Sequence, residues 1–386
     1  MQKLNLPLPD EAAQSASLAL QAILRQEIQQ HGGSLPFSRF MELALYAPRL
    51  GYYTGGAVKL GKDGDFTTAP EISSLFGATL AQFAASVLPD QPLQVLEFGA
   101  GSGKLAYDFL QECAYSKIPV ASYAILDLSG ELRARQQQKL AEFPCVRWLD
   151  QLPEQFDGLI LGNEVLDAMP VELVRKEEDG SWRLLQVGLD QHDEFCWLPG
   201  PVATAEQIQQ LARFDGDLAP GYITEIHPAQ AAFIQTLARL QLAGQRSLAL
   251  FIDYGFTASE YYHPQRERGT LMCHYRHHSH DQPFFWPGLQ DLTSHLDFTG
   301  LALAADAAGL DVAGYFTQAG FLLQAGMTEI LARTSAEQAR QYLPEARALQ
   351  KLVSPAEMGE LFKVLALAHG VNLPAAMQAQ NRLHRL

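Results

Sequence analysis

The sequence of 386 residues has only four cysteines, and no two of them are close enough along the chain to form a CxxC pair. This spacing excludes the paired-cysteine type of redox or zinc site and fits a reducing compartment. Long apolar runs are also missing: no stretch reaches the ~18 residues of a membrane-spanning helix. The first residues include Asp10 and Glu11 without a basic, apolar leader. We therefore expect a cytoplasmic protein without membrane insertion.

Positive charge is scarce, because 28 lysines and arginines face 43 aspartates and glutamates, for a net charge of −15. Such a chain repels phosphate backbones at long range, so we expect no nucleic-acid partner. It attracts basic partners instead. Hydrophobic residues make up 47% and charged residues 18%, a balance typical of a folded globular protein.

Apolar segments of strand length alternate with helical patterns through the middle of the chain. The segments are 93–98, 122–127, 145–149, 157–162 and 247–253. Alternation of this kind predicts the α/β class, a doubly wound, Rossmann-like fold with a parallel sheet. We place this core at residues 91–260.

The remaining segments predict additions to that core. Residues 1–90 predict a helical preface, followed at 49–73 by a glycine-rich loop whose length is typical of a lid. An antiparallel insertion is expected around 171–220, with a turn at Glu177–Gly180. Residues 261–386 are expected to hold a loop insertion, the remaining core strands, one of them at Leu361–Leu367, and C-terminal helices.

The strongest local signal is Glu97-Phe-Gly-Ala-Gly-Ser-Gly103, which joins a predicted strand to a predicted helix. Glycine lets the backbone approach a ligand closely, and a helix N-terminus offers free N–H groups to an anionic group. A dinucleotide fingerprint would place its third glycine at 104, where this chain has Lys104. We therefore predict that Glu97, Gly99, Gly101 and Gly103 bind S-adenosylmethionine. The alternative is a turn that only packs the helix on its strand.

Asp127 ends the second predicted strand, where an acidic residue accepts hydrogen bonds from ribose hydroxyls in nucleotide-binding folds. We predict that it binds the cofactor. The alternative is a local role, in which Asp127 caps the helix that begins around Ser129.

Asn163, Glu164 and Asp167 follow the fourth predicted strand, and ligands meet open α/β sheets at the carboxyl ends of strands. The two carboxylates are suited to hold a guanidinium in line with a sulfonium methyl group. Direct methyl transfer needs chiefly such alignment, without a metal. We predict these three as catalytic residues. In the alternative, Asn163 and Glu164 cap the next helix and position only the cofactor.

Three further groups are weaker candidates. The histidines of 274–280 lie beside Asp281 but lack metal-ligand spacing, so we expect loop or substrate contacts and no metal site. The pair Asp253-Tyr254 is expected either to face the cofactor crevice or to be a strand end held by loop hydrogen bonds. The loop residues of the predicted lid are the last group, with a rigid turn around Pro70 as the alternative. These lid residues are Asp65, Phe66 and Glu71.

The chain resembles the MidA family, which is related to the mitochondrial complex I assembly arginine methyltransferase, from about residue 37 to residue 364. The segments that carry the resemblance are Pro36–Met41, Gly51–Tyr53, Gly64–Ser73, Glu97–Gly103, Leu132–Gln136, Asn163–Pro170, Ile252–Gly255, Asp291–Thr293, Asp297–Phe298 and Met358–Gly359. The resemblance implies a class I methyltransferase fold with a seven-stranded sheet. It also implies S-adenosylmethionine as cofactor and dimethylation of an arginine in a partner protein, a respiratory complex I subunit.

Two other functions are compatible with the same residues. The first is a non-catalytic assembly factor that keeps the fold as a scaffold, since fold alone does not establish chemistry. The second is a small-molecule methyltransferase, which the acidic charge and the large insertions disfavour. The sequence predicts neither the oligomeric state nor the identity of the methyl acceptor.

Overall fold

The computed structural model describes residues 6–55 and 68–386. Its α-helices are α1 (Glu11–Gln30), α2 (Phe37–Tyr46), α3 (Ala69–Ile72), α4 (Ser74–Val87), α5 (Lys104–Ser116), α6 (Gly130–Lys139), α7 (Pro228–Leu242), α8 (Ala258–Tyr261), α9 (Phe298–Ala307), α10 (Gln318–Gln324), α11 (Met327–Leu331), α12 (Ala339–Val353) and α13 (Met358–Leu361). Within residues 6–55 and 68–386, no helix is both long enough and apolar enough to span a bilayer.

The strands fall into a large sheet and two smaller ones. They are β1 (Ser34–Pro36), β2 (Leu93–Phe98), β3 (Val120–Leu126), β4 (Val146–Leu149), β5 (Gly158–Asn163), β6 (Glu172–Lys176), β7 (Trp182–Leu189), β8 (Phe195–Val202), β9 (Ile223–Ile226), β10 (Ser247–Phe256), β11 (Met272–Tyr275), β12 (His278–His280), β13 (Asp291–Thr293), β14 (Leu296–Asp297), β15 (Asp311–Thr317) and β16 (Phe362–His369).

The large sheet has the order β15-β16-β10-β5-β2-β3-β4, and β14 extends it beside the end of β10. The run from β10 to β4 is parallel, whereas β16 is antiparallel to both of its neighbours. Successive residues of β10 point to opposite faces: Leu250 packs with α4 and α5, and Phe251 packs with α7 and α9. Both faces are covered, which confirms the doubly wound α/β prediction with seven strands in the main order. The strand β14 is an eighth, and the antiparallel β16 makes the sheet mixed instead of wholly parallel as predicted.

One core strand, β15, was missing from the segments that the sequence pattern predicts. Its register shifts between Val312 and Gly314, and this bulge breaks the alternation that identifies a strand. The outer edge of β15 is covered by the chain near its C-terminus. Asn381 Oδ1 accepts a hydrogen bond from the Tyr315 amide at 3.1 Å, and the Arg382 amide donates to the Tyr315 carbonyl at 2.7 Å.

The additions build a second layer of structure beside the large sheet. Strands β1, β7, β6 and β9 pair in that order, with β8 on β7, and a three-stranded sheet has the order β12-β11-β13. Strands β6 and β7 form an antiparallel hairpin, and the antiparallel pairing continues through β9. Helices α1 and α2 share one hydrophobic core with both small sheets. In the predicted lid, Asp65 and Phe66 lie outside the described residues.

Candidate active site

A cavity of about 790 Å³ opens at the carboxyl ends of β2, β3, β5 and β10. This is the edge of the sheet at which ligands meet an open α/β fold. The structure brings all but one of the predicted site residues to its wall. Those that line it are Glu97, Gly99, Gly101, Asp127, Asn163, Glu164 and Asp167.

The three glycines of the motif all have positive φ, namely 59° at Gly99, 53° at Gly101 and 77° at Gly103. Residues with a Cβ rarely adopt this conformation, which explains the requirement for glycine. Gly103 is the predicted residue that does not line the cavity. It precedes α5, and a Cβ there would lie 3.4 Å from the Gln136 side chain. Gly103 therefore packs against α6 instead of facing the cavity.

Asp127 is half-buried at the end of β3 and is fixed by two hydrogen bonds. Its Oδ1 accepts from the Ser129 amide at 2.9 Å, and its Oδ2 accepts from Gln136 Nε2 at 2.8 Å. Gln136 also donates to the Gly101 carbonyl at 2.9 Å, which joins the two predicted cofactor loops. The cap of α6 is Ser129 itself, whose hydroxyl accepts from the Leu132 amide. Asp127 therefore supports the turn before the helix instead of capping it.

Replacing Asp127 by alanine should weaken S-adenosylmethionine binding by ~1–3 kcal/mol, the scale of hydrogen bonds to a charged group. The carboxylate is expected to accept from the ribose hydroxyls, and its loss leaves them unpaired. Isothermal titration calorimetry measures this change directly. An unchanged affinity together with a large loss of thermal stability would show that Asp127 serves only the turn before α6.

Glu97 lies beneath the glycine loop and is 2% exposed. Burial raises its pKa to about 8, although the hydrogen bond from the Tyr123 hydroxyl, at 2.8 Å, opposes this shift. At neutral pH the folded protein thus holds a proton on Glu97 that the unfolded chain releases.

This raised pKa predicts a pH-dependent stability. The favourable contribution of protonated Glu97 is complete below the ordinary glutamate pKa of 4.5 and is lost as the pH rises to about 8. Replacing Glu97 by glutamine should remove up to ~1.4 kcal/mol per pH unit from the slope of unfolding free energy across this window. Denaturant unfolding of the ligand-free protein at pH 5, 6, 7 and 8 tests it. Parallel slopes for wild type and variant would contradict the assignment.

The segment after β5 contains no helix in the described chain between Asn163 and Glu172, so the alternative in which Asn163 and Glu164 cap a following helix is excluded. Glu164 instead occupies a strained backbone position, with φ of 52°. Its carboxylate accepts a hydrogen bond from Asn163 Nδ2 at 3.0 Å. Burial and the charge of Asp167 raise the pKa of Glu164 to about 8.

Asp167 is 5% exposed, and its two carboxylate oxygens differ in their surroundings. Oδ2 accepts a hydrogen bond from the Tyr254 hydroxyl at 2.7 Å. Among the described residues, neither Asp167 Oδ1 nor the buried Oδ1 of Asn163 has a hydrogen-bond partner. Burial raises the pKa of Asp167 to about 6. Two buried acceptors beside one cavity call for a ligand that donates hydrogen bonds.

Asp253 and Tyr254 each have one of the two roles considered for the pair. Tyr254 lines the cavity, whereas Asp253 is 1% exposed and does not. Asp253 Oδ2 accepts from the amides of Leu166 and Asp167 at 3.1 and 3.2 Å. Asp253 therefore has the second role: it lies within β10 and is held by hydrogen bonds from the loop that follows β5.

Sequence reasoning missed a set of residues that close the cavity from the additions. Tyr53 donates to Asp291 Oδ2 at 3.0 Å, and Tyr46 donates to the Ala168 carbonyl at 2.9 Å. The two tyrosine rings stack with centroids 5.6 Å apart. His295 also lines the cavity, and burial lowers its pKa to about 4. Gly51–Tyr53 and Asp291–Thr293 were among the segments of the family resemblance, but no local pattern indicates a role for them.

The described wall of the cavity is strongly acidic, with six carboxylates against two lysines and no arginine. The carboxylates are Glu71, Glu97, Asp127, Glu164, Asp167 and Asp291; the lysines are Lys104 and Lys351. Glu71, from the predicted lid, accepts a hydrogen bond from Ser102 in the glycine loop. Histidine, cysteine, aspartate and glutamate form no group of three placed to hold a metal ion in residues 6–55 and 68–386.

Known structures resemble this fold over its full length. A protein from Burkholderia thailandensis, solved bound to S-adenosyl-homocysteine, is 48% identical, and the match covers 99% of this chain and 100% of that one with a TM-score of 0.92. A native crystal structure from the same organism matches with a TM-score of 0.89.

Curated relatives are more distant. The chain is 27% identical to "Protein arginine methyltransferase NDUFAF7 homolog, mitochondrial" of Drosophila melanogaster, over 95% of this chain and 88% of that protein. It is 28% identical to "Protein arginine methyltransferase NDUFAF7, mitochondrial" of Mus musculus, over 90% and 84%.

The profile of a family described as "Putative S-adenosyl-L-methionine-dependent methyltransferase" matches residues 75–316. This region contains every predicted site residue. The positive-φ glycines and the half-buried Asp127 beside one cavity fit a nucleoside with a charged tail. The chain belongs to this family of methyltransferases, and its cofactor is S-adenosylmethionine.

Proposed function

We propose that this protein methylates an arginine side chain of a partner protein, and that Asn163, Glu164 and Asp167 hold the guanidinium. The observation that carries this proposal is the pair of buried acceptors, Asp167 Oδ1 and Asn163 Oδ1, which have no hydrogen-bond partner within the described chain. A guanidinium has five N–H donors in a fixed plane and no acceptor, so it can satisfy both oxygens and Glu164 together.

The charges of the cavity support a cationic acceptor. Its described wall has six carboxylates and two lysines. Burial raises the pKa of Glu164 to about 8 and of Asp167 to about 6, so a cation that enters the cavity favours ionisation of both. An arginine side chain stays protonated throughout this pH range. With a neutral acceptor, Glu164 keeps its proton at neutral pH and the charge of Asp167 is left without a counter-ion.

Bound S-adenosylmethionine supplies a methyl group activated by a positively charged sulfur. The work of this chain is then alignment, because displacement at the methyl carbon requires the attacking nitrogen to lie in line with the departing sulfur. Each methyl group that the nitrogen gains is matched by one proton that it loses. Asp167, with a pKa of about 6, is ionised at neutral pH and can accept this proton.

The resemblance and the curated relatives support a protein as the partner. Both relatives are named as protein arginine methyltransferases of mitochondria, at 27% and 28% identity. The MidA resemblance points to a subunit of respiratory complex I as the acceptor. The net charge of −15 favours a basic protein surface around the target arginine.

The proposal is tested by incubating the protein with methyl-labelled S-adenosylmethionine and purified complex I subunits. Mass spectrometry of peptides and of acid hydrolysates then identifies the labelled residue. Label in methylarginine is the expected result. Label in lysine or in a small molecule contradicts the arginine assignment, and transfer to no acceptor at all favours the scaffold function.

A further inference from the structure

Tyr254 connects the end of β10 to the predicted acceptor site. It lines the cavity, and its hydroxyl donates to Asp167 Oδ2 at 2.7 Å. We propose that Tyr254 is a positioning residue, which orients the Asp167 carboxylate so that Oδ1 is presented to the guanidinium. This inference rests on the proposed function, because it assigns to Asp167 the cationic acceptor proposed above.

The backbone that carries Asp167 is held without help from Tyr254. Asp253 Oδ2 accepts from the amides of Leu166 and Asp167 at 3.1 and 3.2 Å. The Leu166 carbonyl accepts from Gln230 Nε2 at 2.9 Å, and the Asp167 carbonyl accepts from the Ser294 amide at 3.0 Å. Since four hydrogen bonds fix this short segment, the Tyr254 hydroxyl acts on the carboxylate of Asp167 and not on the loop.

The ring of Tyr254 is also held independently of its hydroxyl. It meets the rings of His295 and Phe362 edge to face, with centroids 5.0 and 5.5 Å away. Phenylalanine at this position keeps both contacts. Replacing Tyr254 by phenylalanine therefore removes one hydrogen bond and leaves the packing in place.

The hydrogen bond has two effects on Asp167. It fixes the rotation of the carboxylate, so that the bonded oxygen is Oδ2 and the remaining oxygen is Oδ1. It also favours the ionised form, because a donor to a carboxylate stabilises the charge. The ionisable side chains that lie close enough for the charge of Asp167 to raise their pKa values are Tyr46, Tyr53, Glu164, Asp253 and Tyr254.

The sign of the expected change follows from these effects. Burial raises the pKa of Asp167 to about 6 despite the Tyr254 hydroxyl, so removal of the hydroxyl raises the pKa further. Binding of a guanidinium then requires a higher pH. The Glu164 ionisation near pH 8 should stay where it is, because Tyr254 is not among the groups that shift it.

The test measures binding of acetyl-arginine amide to protein saturated with S-adenosylhomocysteine, by calorimetry from pH 5 to pH 9. Acetyl-citrulline amide, which has the same shape without the charge, is the reference ligand. In wild type the ratio of arginine affinity to citrulline affinity should rise with pH in two steps. The step near pH 6 is the ionisation of Asp167, and the step near pH 8 is the ionisation of Glu164. In Tyr254→Phe the lower step should move up by ~1 pH unit. The shift of the pKa alone should weaken arginine binding ~10-fold at pH 5, ~3-fold at pH 6.5 and negligibly at pH 9, so a loss that remains at pH 9 measures the orientation of the carboxylate.

Tyr262→Phe is a matched control. Tyr262 is 2% exposed and donates to Asp297 Oδ2 at 3.3 Å, and burial raises the pKa of Asp297 to about 6 as well. Neither residue lines the cavity. This variant removes the same kind of hydrogen bond and should keep the wild-type profile.

The outcomes separate the two proposals. A Tyr254→Phe profile that coincides with wild type overturns the inference alone, as does an equal loss of arginine and citrulline binding at every pH, which would indicate a structural role. A wild type that binds arginine no better than citrulline contradicts the proposed function, and with it the inference.

Discussion

Replacement of Glu164 by glutamine is expected to slow methyl transfer at least ~100-fold while S-adenosylmethionine binding persists. Glu164 accepts a hydrogen bond from Asn163, and it lines the cavity beside Asp167. Glutamine has one acceptor oxygen and no charge, so it cannot accept from Asn163 and also form an ion pair with a guanidinium. Turnover with a verified acceptor protein is the measurement, made together with cofactor affinity on the same preparation.

Glu172→Gln provides the control for that experiment. Glu172 is also half-buried with a raised pKa and accepts a hydrogen bond from Ser38, but it lies outside the cavity wall. Its replacement should change turnover by less than ~2-fold, the usual size of effects away from a site. Full activity in Glu164→Gln would refute the guanidinium clamp, whereas equal losses in both variants would indicate a general effect of removing a half-buried carboxylate.

Gly101→Val is expected to abolish S-adenosylmethionine binding. Gly101 has φ of 53° and lines the cavity, so valine adds both backbone strain and a branched side chain where the backbone must approach the ligand. Calorimetry should show an affinity at least ~100-fold weaker, or no heat of binding, in a variant whose circular dichroism spectrum is that of the wild type.

The matched control for this variant is Gly180→Val. Gly180 lies in the turn between β6 and β7 with φ of 81°, and a Cβ there would meet no atom within 4 Å. It should lose some thermal stability through the same kind of strain and keep wild-type cofactor affinity. Near-normal binding by a folded Gly101→Val would show that this loop does not hold the cofactor.

The cofactor half of the cavity is the part that the sequence predicts well. Glu97, Gly99 and Gly101 lie within five residues, from the end of β2 into the loop before α5. Residues so near in sequence are also near in the fold, so their spacing along the chain predicts that they share a site. Asp127 can be predicted in the same way, because it directly follows β3, the next strand along the chain. The structure brings these residues to one wall, while their individual contacts with the cofactor stay predictions.

The acceptor half could not be predicted in the same way, because its residues come from distant parts of the chain. Tyr53 lies in the N-terminal preface, and Asp291 lies in the loop insertion after residue 260. They are in contact because both regions pack against the segment that follows β5. No local pattern records that contact. The capping alternative considered for Asn163 and Glu164 assumed the helix that usually follows a strand in this fold class. Here a turn leads into β6 instead.

The position of β16 has a consequence for how the protein is made. This strand pairs with β10 on one side and β15 on the other, although it follows both of them in the chain. During synthesis, the edge of β10 and one edge of β15 therefore stay open until residue 369 has left the ribosome. Open strand edges template pairing with other chains, and insertion between strands that are already formed is a non-local, slow step. We expect a nascent chain of about 320–360 residues to be the most aggregation-prone species, and a chaperone that shields strand edges to act in that interval.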